Sequence, residues 1–425
     1  MTVLLTADVT GTTKHYKRGT HRAVDPEETL KHARALAPLA GITRVANVTG
    51  LDRIGLPVVA VHRPNSRSLV VSQGKGLESV AAKVSGMMEA IESYHAERPE
   101  LLLRLDSYEE LSRRVPVLNV GALPRISTGS FSPVKRILWC EGRRLGTDEP
   151  HWVPYETVHT DFTLPLPSGS GCFMMSSNGL SSGNHLLEAV SHGIGELVER
   201  DAVALWELSG GTRRRQGRID PRTIDDPACR QILERFSEAQ IACGIWDATS
   251  DVGMATFVCF IADLPGAPGH VHVSHGSGCH PCREIALLRA LTEAAQTRLT
   301  YIAGARDDAD HRFFARARAV TRIDEVRRHI MDVDIEPAER ERTCALRNFG
   351  DVPTHAGNTF EDDIAWELDC LRGVGLNEVV VVDLSRSELP IAVVRVLVPG
   401  LEGLNDAPGY VPGARASALL ARMAS

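Results

Sequence analysis

S-S-N-G-L-S-S-G-N-H-L-L-E-A-V-S-H-G-I-G-E-L-V-E-R-D-A, residues 176–202, decides how this chain is read. A loop rich in Ser, Gly and Asn is expected to run straight into a helix over 184–208. That helix places Glu188, His192, Glu196 and Glu199 on one face, at spacings of four, four and three residues. Carboxylates stacked on one stripe repel by a few tenths of a kcal/mol per exposed pair, and by more when buried. A cation lying on the stripe removes that cost. Hard cations such as Mg2+ take oxygen ligands and bring phosphates with them. The stretch therefore predicts a metal–nucleotide site. Ser181, Ser182, Gly183 and Asn184 are expected at the helix entrance, where backbone N–H groups and the helix dipole favour anions.

Two other helices share the pattern. The helix expected over 77–96 carries Ser85, Glu89 and Glu92, and Lys75 precedes it between two glycines. Glu89 and Glu92 are three residues apart and point the same way. The helix expected over 283–303 carries Glu293, Gln296 and Arg298. If these helices converge, the carboxylates of Glu89, Glu92, Glu188, Glu196 and Glu199 meet around a metal. Lys75, Arg22, Arg200 and Arg298 are then candidate phosphate donors. The competing reading is a set of solvated acidic faces. Such faces normally interleave Lys at i+4, which neither acidic helix does.

Working outward, a helix is expected from Pro26 to about Leu39, with acids in its first turn. Strands are expected at Val58–His62, Leu69–Ser72, Ile137–Cys140, Ala255–Ala262, Val271–Ser274, Glu378–Leu384 and Ile391–Leu397. Further helices are expected at 359–373 and 413–424, and a loop at 164–171. Without a regular βαβ alternation the fold class is α+β, with mixed or antiparallel sheets packed on helices.

With 47 Lys and Arg against 54 Asp and Glu, the net charge of −7 offers no broad basic field for nucleic acid. The hydrophobic content of 43% is that of an ordinary soluble protein, and no run reaches membrane-spanning length. The polar start and nine irregularly spaced cysteines suggest reduced thiols in a cytoplasmic protein. Cys279-His-Pro-Cys282 is a single C-x-x-C, read as a loop ahead of a helix because one pair cannot close a zinc site. No P-loop and no G-x-G-x-x-G after a strand is present. Gly179-Leu-Ser181-Ser-Gly183 has the G-x-S-x-G form of a serine-hydrolase elbow, which would make Ser181 a nucleophile. That reading needs a buried strand ending at Gly179 and leaves the glutamates unexplained. His192 is open to two readings, a neutral residue packed on the helix face or an imidazolium paired with Glu188 or Glu196.

Four stretches carry a resemblance to a known family. They are K-R-G-T-H-R (17–22), G-K-G-L…S-G-M-M-E-A-I-E (74–92), S-N-G-L-S-S-G-N-H-L-L-E-A-V-S-H-G-I-G-E-L-V-E-R-D (177–201) and A-L-L-R-A-L-T-E-A-A-Q-T-R-L…R-D-D (286–308). V-R-V-L-V-P-G-L-E (394–402) also fits. The chain resembles the YcaO family of ATP-dependent enzymes that modify peptide backbone amides. The resemblance places the family's first motif on Ser85, Glu89 and Glu92, with Ser93 where Arg is usual. Its second motif falls on Ser181, Asn184 and Glu188, with His192 where Gln or Glu is frequent, followed by Glu196, Glu199 and Arg200. Its third falls on Gln296 and Arg298. It implies one catalytic unit over 1–425, made of an N-terminal segment (1–70), an ATP- and Mg2+-binding core (71–310) and a C-terminal portion (311–425).

The resemblance also implies the chemistry. ATP and Mg2+ activate an amide oxygen of a ribosomally made precursor peptide or protein by phosphorylation, and the nucleophile decides the product. Azoline-forming members end in a Pro-x-Pro-x-Pro tail, whereas this sequence ends G-A-R-A-S-A-L-L-A-R-M-A-S. Together with G-T-H-R near the start, this points to thioamide formation with a TfuA-like partner or a separate peptide-recognition protein, in a homodimer. The alternatives are an azoline, an amidine, peptide-bond cleavage, or a non-catalytic nucleotide-binding partner protein.

Overall fold

The structure is a computed structural model that describes residues 12–267, 273–306, 315, 319–331, 346–387, 389–403, 405 and 407–424. The chain opens with helix α1 (Pro26–Leu36), begun by Pro26 and capped by the Asp25 side chain on the Glu27 N–H. Strands β1 (Arg44–Asn47), β2 (Val58–His62) and β3 (Val71–Lys75) form an antiparallel meander, and α2 (Ser79–Glu97) packs across it. After β4 (Leu103–Ser107), α3 (Tyr108–Ser112) and β5 (Arg125–Ile126) come β6 (Arg136–Arg144), β7 (Pro150–Pro154) and β8 (Leu180–Gly183). Helices α4 (Leu186–Leu208), α5 (Gly210–Gln216) and α6 (Pro227–Glu238) lead to a second antiparallel meander, β9 (Ile241–Asp247), β10 (Thr256–Asp263) and β11 (Val273–Cys279). Helix α7 (Arg283–Ala303) covers that meander. The last strands are β12 (Val380–Asp383), β13 (Ala392–Leu397) and β14 (Tyr410–Val411), with helices at Val320–Met331, Phe360–Gly373 and Ala414–Ala424.

The large sheet has the order β4-β6-β12-β13-β8, with β7 also on β6, and its neighbouring strands pair antiparallel. An α+β architecture with helices on antiparallel sheets is what the sequence predicts. Helix α4 lies against β8, β13 and β11 and so connects the large sheet to the second meander.

Two close approaches fix the helices that carry the glutamates. A Cβ on Gly74 would land on the Ala82 carbonyl and the Gly86 N–H of α2. A Cβ on Gly276 would land on the Ala290 carbonyl and the Ala294 N–H of α7. Each meander therefore ends in a strand whose glycine lets a helix backbone rest on it. Apolar side chains seal these layers, with Trp139, Ile91 and Val382 in one cluster and Phe257, Leu287 and Leu291 in another.

The observed elements correct the expected boundaries in one place that matters. Residues 180–183 form a strand, not a loop, with Ser181 opposite Val394 and Ser182 opposite Val393. Small side chains make this possible: a Cβ on Gly193 of α4 would meet Ser181 Oγ. The 164–171 loop is irregular as expected, but β8 stands between it and α4. Strands β1, β4, β5, β7, β9 and β14 and helices α3, α5, α6 and Val320–Met331 are additions, and residues 271–272 of the expected strand at Val271–Ser274 lie outside the described residues.

Candidate functional site

Helices α2, α4 and α7 bring their glutamates to the ends of β3, β8 and β11. Glu92 on α2 accepts the Ser182 hydroxyl of β8 at 2.6 Å. On α4, Glu199 accepts the Ser277 hydroxyl of β11 at 2.7 Å and the Cys279 backbone N–H at 3.0 Å. The Ser277 backbone N–H turns to Glu293 of α7 at 3.2 Å, and Lys75 at the end of β3 meets Glu293 at 2.6 Å. Burial would raise the Glu293 carboxyl, but Lys75 and Arg200 outweigh it and hold it well below the usual range. Gln296 donates its amide to the Gln73 carbonyl at 2.9 Å. One set of bonds thus joins α4, α7, β3 and β11, and a second joins α2 to β8.

Glu188 is enclosed at the start of α4. Its Oε2 accepts the backbone N–H groups of Ala23 (3.2 Å) and Asn184 (3.3 Å), and Arg22 stands 3.5 Å from Oε1. Burial raises this carboxyl, and Arg22 counters it.

Glu89, Glu92 and Glu196 are different. Burial lifts Glu92 to about 8 against Ser182, with Glu89 and Glu196 adding repulsion. Burial likewise lifts Glu196 to about 7 despite Arg200, and Glu199 adds to the rise. Glu89 also rises to about 7, chiefly through the surrounding protein, and Glu196 contributes. Glu89 is exposed at the rim, so solvent screens its share of the repulsion more than it does for half-buried Glu92 and Glu196. Arg395 of β13 faces this group. It is 1% exposed, and its guanidinium is held by the carbonyls of Val158, Ser176 and Asn178. Burial lowers it to about 10, while Glu196 and Glu92 oppose that shift.

The donor set is all oxygen, negative and partly desolvated, which suits a hard cation. Among the described residues no three carboxylate, imidazole or thiol groups already converge as a metal cage. Glu89, Glu92 and Glu196 are near enough to raise one another.

Several expected site residues have other placements. Ser181 is fully buried and donates its hydroxyl to the Ala189 carbonyl at 2.7 Å. It sits within strand β8, not at an exposed strand-to-helix turn, so the serine-hydrolase reading is overturned. Arg298 is 1% exposed and spends its guanidinium on Asp52 (2.9 Å) and Asp263 (2.8 and 3.0 Å). Asn184 accepts the Thr29 hydroxyl at 3.1 Å. Ser85 is half-buried on α2, one turn before Glu89. Ser93 returns its hydroxyl to the Glu89 carbonyl at 3.0 Å and stays on its own helix. Arg200 supplies Glu196 with the cation at i+4 that the search for Lys overlooked. His192 is neutral: its Nε2 lies 3.1 Å from Arg289, which can only donate. Cys279 ends β11 and Cys282 precedes α7, both as free thiols. Asp307 and Asp308 lie outside the described residues.

Ser277, Arg289 and Arg395 were not singled out from sequence, and Ser182 was expected to act through its position at the helix entrance, not through a hydroxyl on Glu92. Arg395 alone had a visible signal, as a charge inside the apolar strand V-V-R-V-L (393–397). A small cavity of about 20 Å³ abuts Glu188 and includes Arg22, His192, His280 and Arg289 in its wall.

Residues 73–402 match the family described as YcaO cyclodehydratase, ATP- and Mg2+-binding. A protein of Rhizobium leguminosarum bv. trifolii, described as uncharacterized in the tfuA 3' region, is 36% identical over 90% of this chain and 88% of its own. An uncharacterized protein of Methanothermobacter thermautotrophicus is 36% identical over 92% of this chain and 97% of its own. Among solved structures, YcaO from Methanopyrus kandleri bound with AMPPCP and Mg2+ superposes with a TM-score of 0.69 at 23% identity, covering 95% of this chain and 99% of that one. A heterocyclase in complex with substrate and cofactor gives a TM-score of 0.70 at 21% identity, and this chain, 93% covered, spans 54% of it.

Proposed function

Because the chain belongs to the YcaO family, we propose that it uses ATP and Mg2+ to exchange the oxygen of a peptide backbone amide for sulfur. The observation that carries the ATP- and Mg2+-dependent part is the trio Glu89, Glu92 and Glu196, whose repulsion a divalent cation would relieve. Glu89, Glu92 and Glu196 would hold the metal; Glu188 gives Oε2 to backbone donors and leaves Oε1 beside Arg22, whereas both Glu199 oxygens accept protein donors and would reach the metal through remaining lone pairs or metal-bound water. Lys75, Arg22 and Arg200 are the cations at the rim of this centre and would receive phosphates, beside Ser85 and Asn184. Gln296 would orient Gln73 next to Glu89. Ser181 and Arg298 would serve as scaffold.

An amide oxygen is a poor leaving group. Transfer of the terminal phosphoryl group of ATP to that oxygen makes it leave as phosphate. A hydrosulfide ion adds at the carbonyl carbon, its proton passes to solvent, and the amide oxygen departs on phosphate with ADP as the other product. Positioning and charge neutralisation dominate such chemistry. The tfuA setting of the Rhizobium leguminosarum bv. trifolii relative supports sulfur as the incoming atom and a TfuA-like protein as partner. The substrate would be a ribosomally made precursor peptide or protein.

The test is incubation of the chain with Mg2+, ATP, sulfide, a TfuA-like partner and a candidate peptide. Peptide-dependent ADP release with a mass gain of about 16 Da supports the reading, whereas a loss of about 18 Da means azoline formation. ADP release without either change, and with cleaved peptide, would replace it by hydrolysis.

A further inference from the structure

The cavity against Glu188 has donor groups whose protonation is fixed by their neighbours. Arg289 lies 3.1 Å from His192 Nε2. A guanidinium only donates, so Nε2 carries the lone pair and the ring proton sits on Nδ1. That Nδ1–H has no hydrogen-bond partner among the described residues. His280 is set in the opposite sense: its Nδ1 accepts the Cys282 backbone N–H at 2.9 Å, so its proton sits on Nε2. Two neutral imidazoles, each with an N–H to give, thus share one wall with two guanidiniums. Arg22 has Glu188 as its counter-charge at 3.5 Å. Arg289 spends an N–H on a neutral ring and has no carboxylate within 4 Å among the described residues, though Glu196 acts on it from farther off.

We propose that this cavity binds a compact inorganic anion, and that during turnover the anion is the hydrosulfide nucleophile. The second half rests on the thioamide reading above. Near neutral pH sulfide is substantially an anion, whereas ammonia is almost wholly ammonium. Guanidinium and N–H groups welcome the first and repel the second. The wall therefore selects against an amine nucleophile. Glu188 lines the cavity, and Arg22, which stands 3.5 Å from Glu188, also acts on Glu92. An anion held here would stand beside the centre where the amide is activated.

The experiment is a titration of the full chain, 15N-labelled at histidine, with sodium hydrosulfide, sodium bromide and sodium phosphate at constant ionic strength, without ATP. Hydrosulfide and bromide are expected to shift the His192 and His280 ring nitrogens saturably and to compete with each other. Arg289→Gln should weaken that binding by about tenfold or more, and Arg289→Lys should restore part of it. Protection of each variant by Mg2+ and ATP in a thermal melt checks that it is folded. No saturable shift in the wild-type chain, or unchanged binding in Arg289→Gln, overturns the assignment. Saturation by phosphate alone overturns hydrosulfide as the ligand. If hydrosulfide binds at His192 and His280 but no peptide gains sulfur, the cavity assignment stands and the thioamide reading falls.

Discussion

Ser182 of β8 donates its hydroxyl to Glu92 of α2 at 2.6 Å, the one side-chain hydrogen bond to Glu92 among the described residues, and it opposes the repulsion from Glu89 and Glu196. Glu92 sits at about 8 even with this donor. Ser182→Ala should push it higher still, so that less of it is ionised near neutrality. The loss of a hydrogen bond to a charged group, about 1.5–3 kcal/mol, sets the expected weakening of Mg2+–nucleotide binding at about 10- to 100-fold. Calorimetry at two pH values checks this: affinity in the variant should recover toward wild type as pH is raised. An equal deficit at both pH values would mean that Ser182 acts on shape and not on the Glu92 proton.

The raised carboxyls also set the pH dependence of the metal-free protein. Glu92 and Glu196 shift from 4.5 to about 8 and 7 on folding, and Glu89 is raised in the same direction but, being exposed, contributes less. Between these limits the native state binds more protons than the unfolded chain, so stability falls as pH rises. The melting temperature without Mg2+ should therefore decline from pH 5 to pH 8. Mg2+ must displace those protons, so its stabilisation should be larger at pH 8 than at pH 6, and binding at pH 6.5 should release protons to buffer. Melts with and without Mg2+, paired with calorimetry in buffers of different ionisation enthalpy, give the measurement. A metal-free melting temperature that rises over the same range would remove the trio as the responsible groups.

The parts of this arrangement legible in the sequence are those written in a period. The i, i+3 and i, i+4 spacing of Glu89 with Glu92, and of Glu196 with Glu199 and Arg200, marks helix faces without reference to the rest of the fold. Helix α7 matches its expected span of 283–303, and β2 matches Val58–His62. Strand β8 is illegible for a physical reason. L-S-S-G has no alternation and little hydrophobicity, yet it is buried because small side chains let it lie against α4. Ser277 and Arg289 are also silent in one dimension, since each matters only through a residue brought from elsewhere, Glu199 in one case and His192 in the other. Arg298 shows the reverse failure. It lies in register with a family motif, but its position on α7 turns it toward Asp52 and Asp263.

Arg395 should be the most costly single side chain to lose from β13. Its guanidinium satisfies the carbonyls of Val158, Ser176 and Asn178 from a buried position, and it balances Glu92 and Glu196. Arg395→Met would orphan those carbonyls and remove the balancing charge, for a loss of about 3–5 kcal/mol in denaturant unfolding. Arg395→Lys should recover less than half of it, because an ammonium cannot span carbonyls on separate turns as a planar fork does. Full recovery by Lys would show that charge alone matters there.

Gly276 tests whether the site depends on the fit of β11 to α7. A methyl at this position has no free space, since Ala290, Glu293 and Ala294 of the helix backbone lie against it. Gly276→Ala must push β11 and α7 apart, and overpacking of this kind costs about 1–3 kcal/mol. The displacement falls next to Ser277, which holds Glu199 with its hydroxyl and Glu293 with its N–H. Both carboxylates should therefore lose their fixed positions together. The expected result is a folded protein, somewhat less stable, whose nucleotide turnover drops by about tenfold or more for each 1.4 kcal/mol lost from positioning. Gly253→Ala is the control: a Cβ there meets nothing within 4 Å, though its φ of +83° makes the substitution strained. If Gly253→Ala, matched in stability loss, reduces turnover as much as Gly276→Ala does, the effect is global unfolding and the β11–α7 contact has no special part in aligning the glutamates.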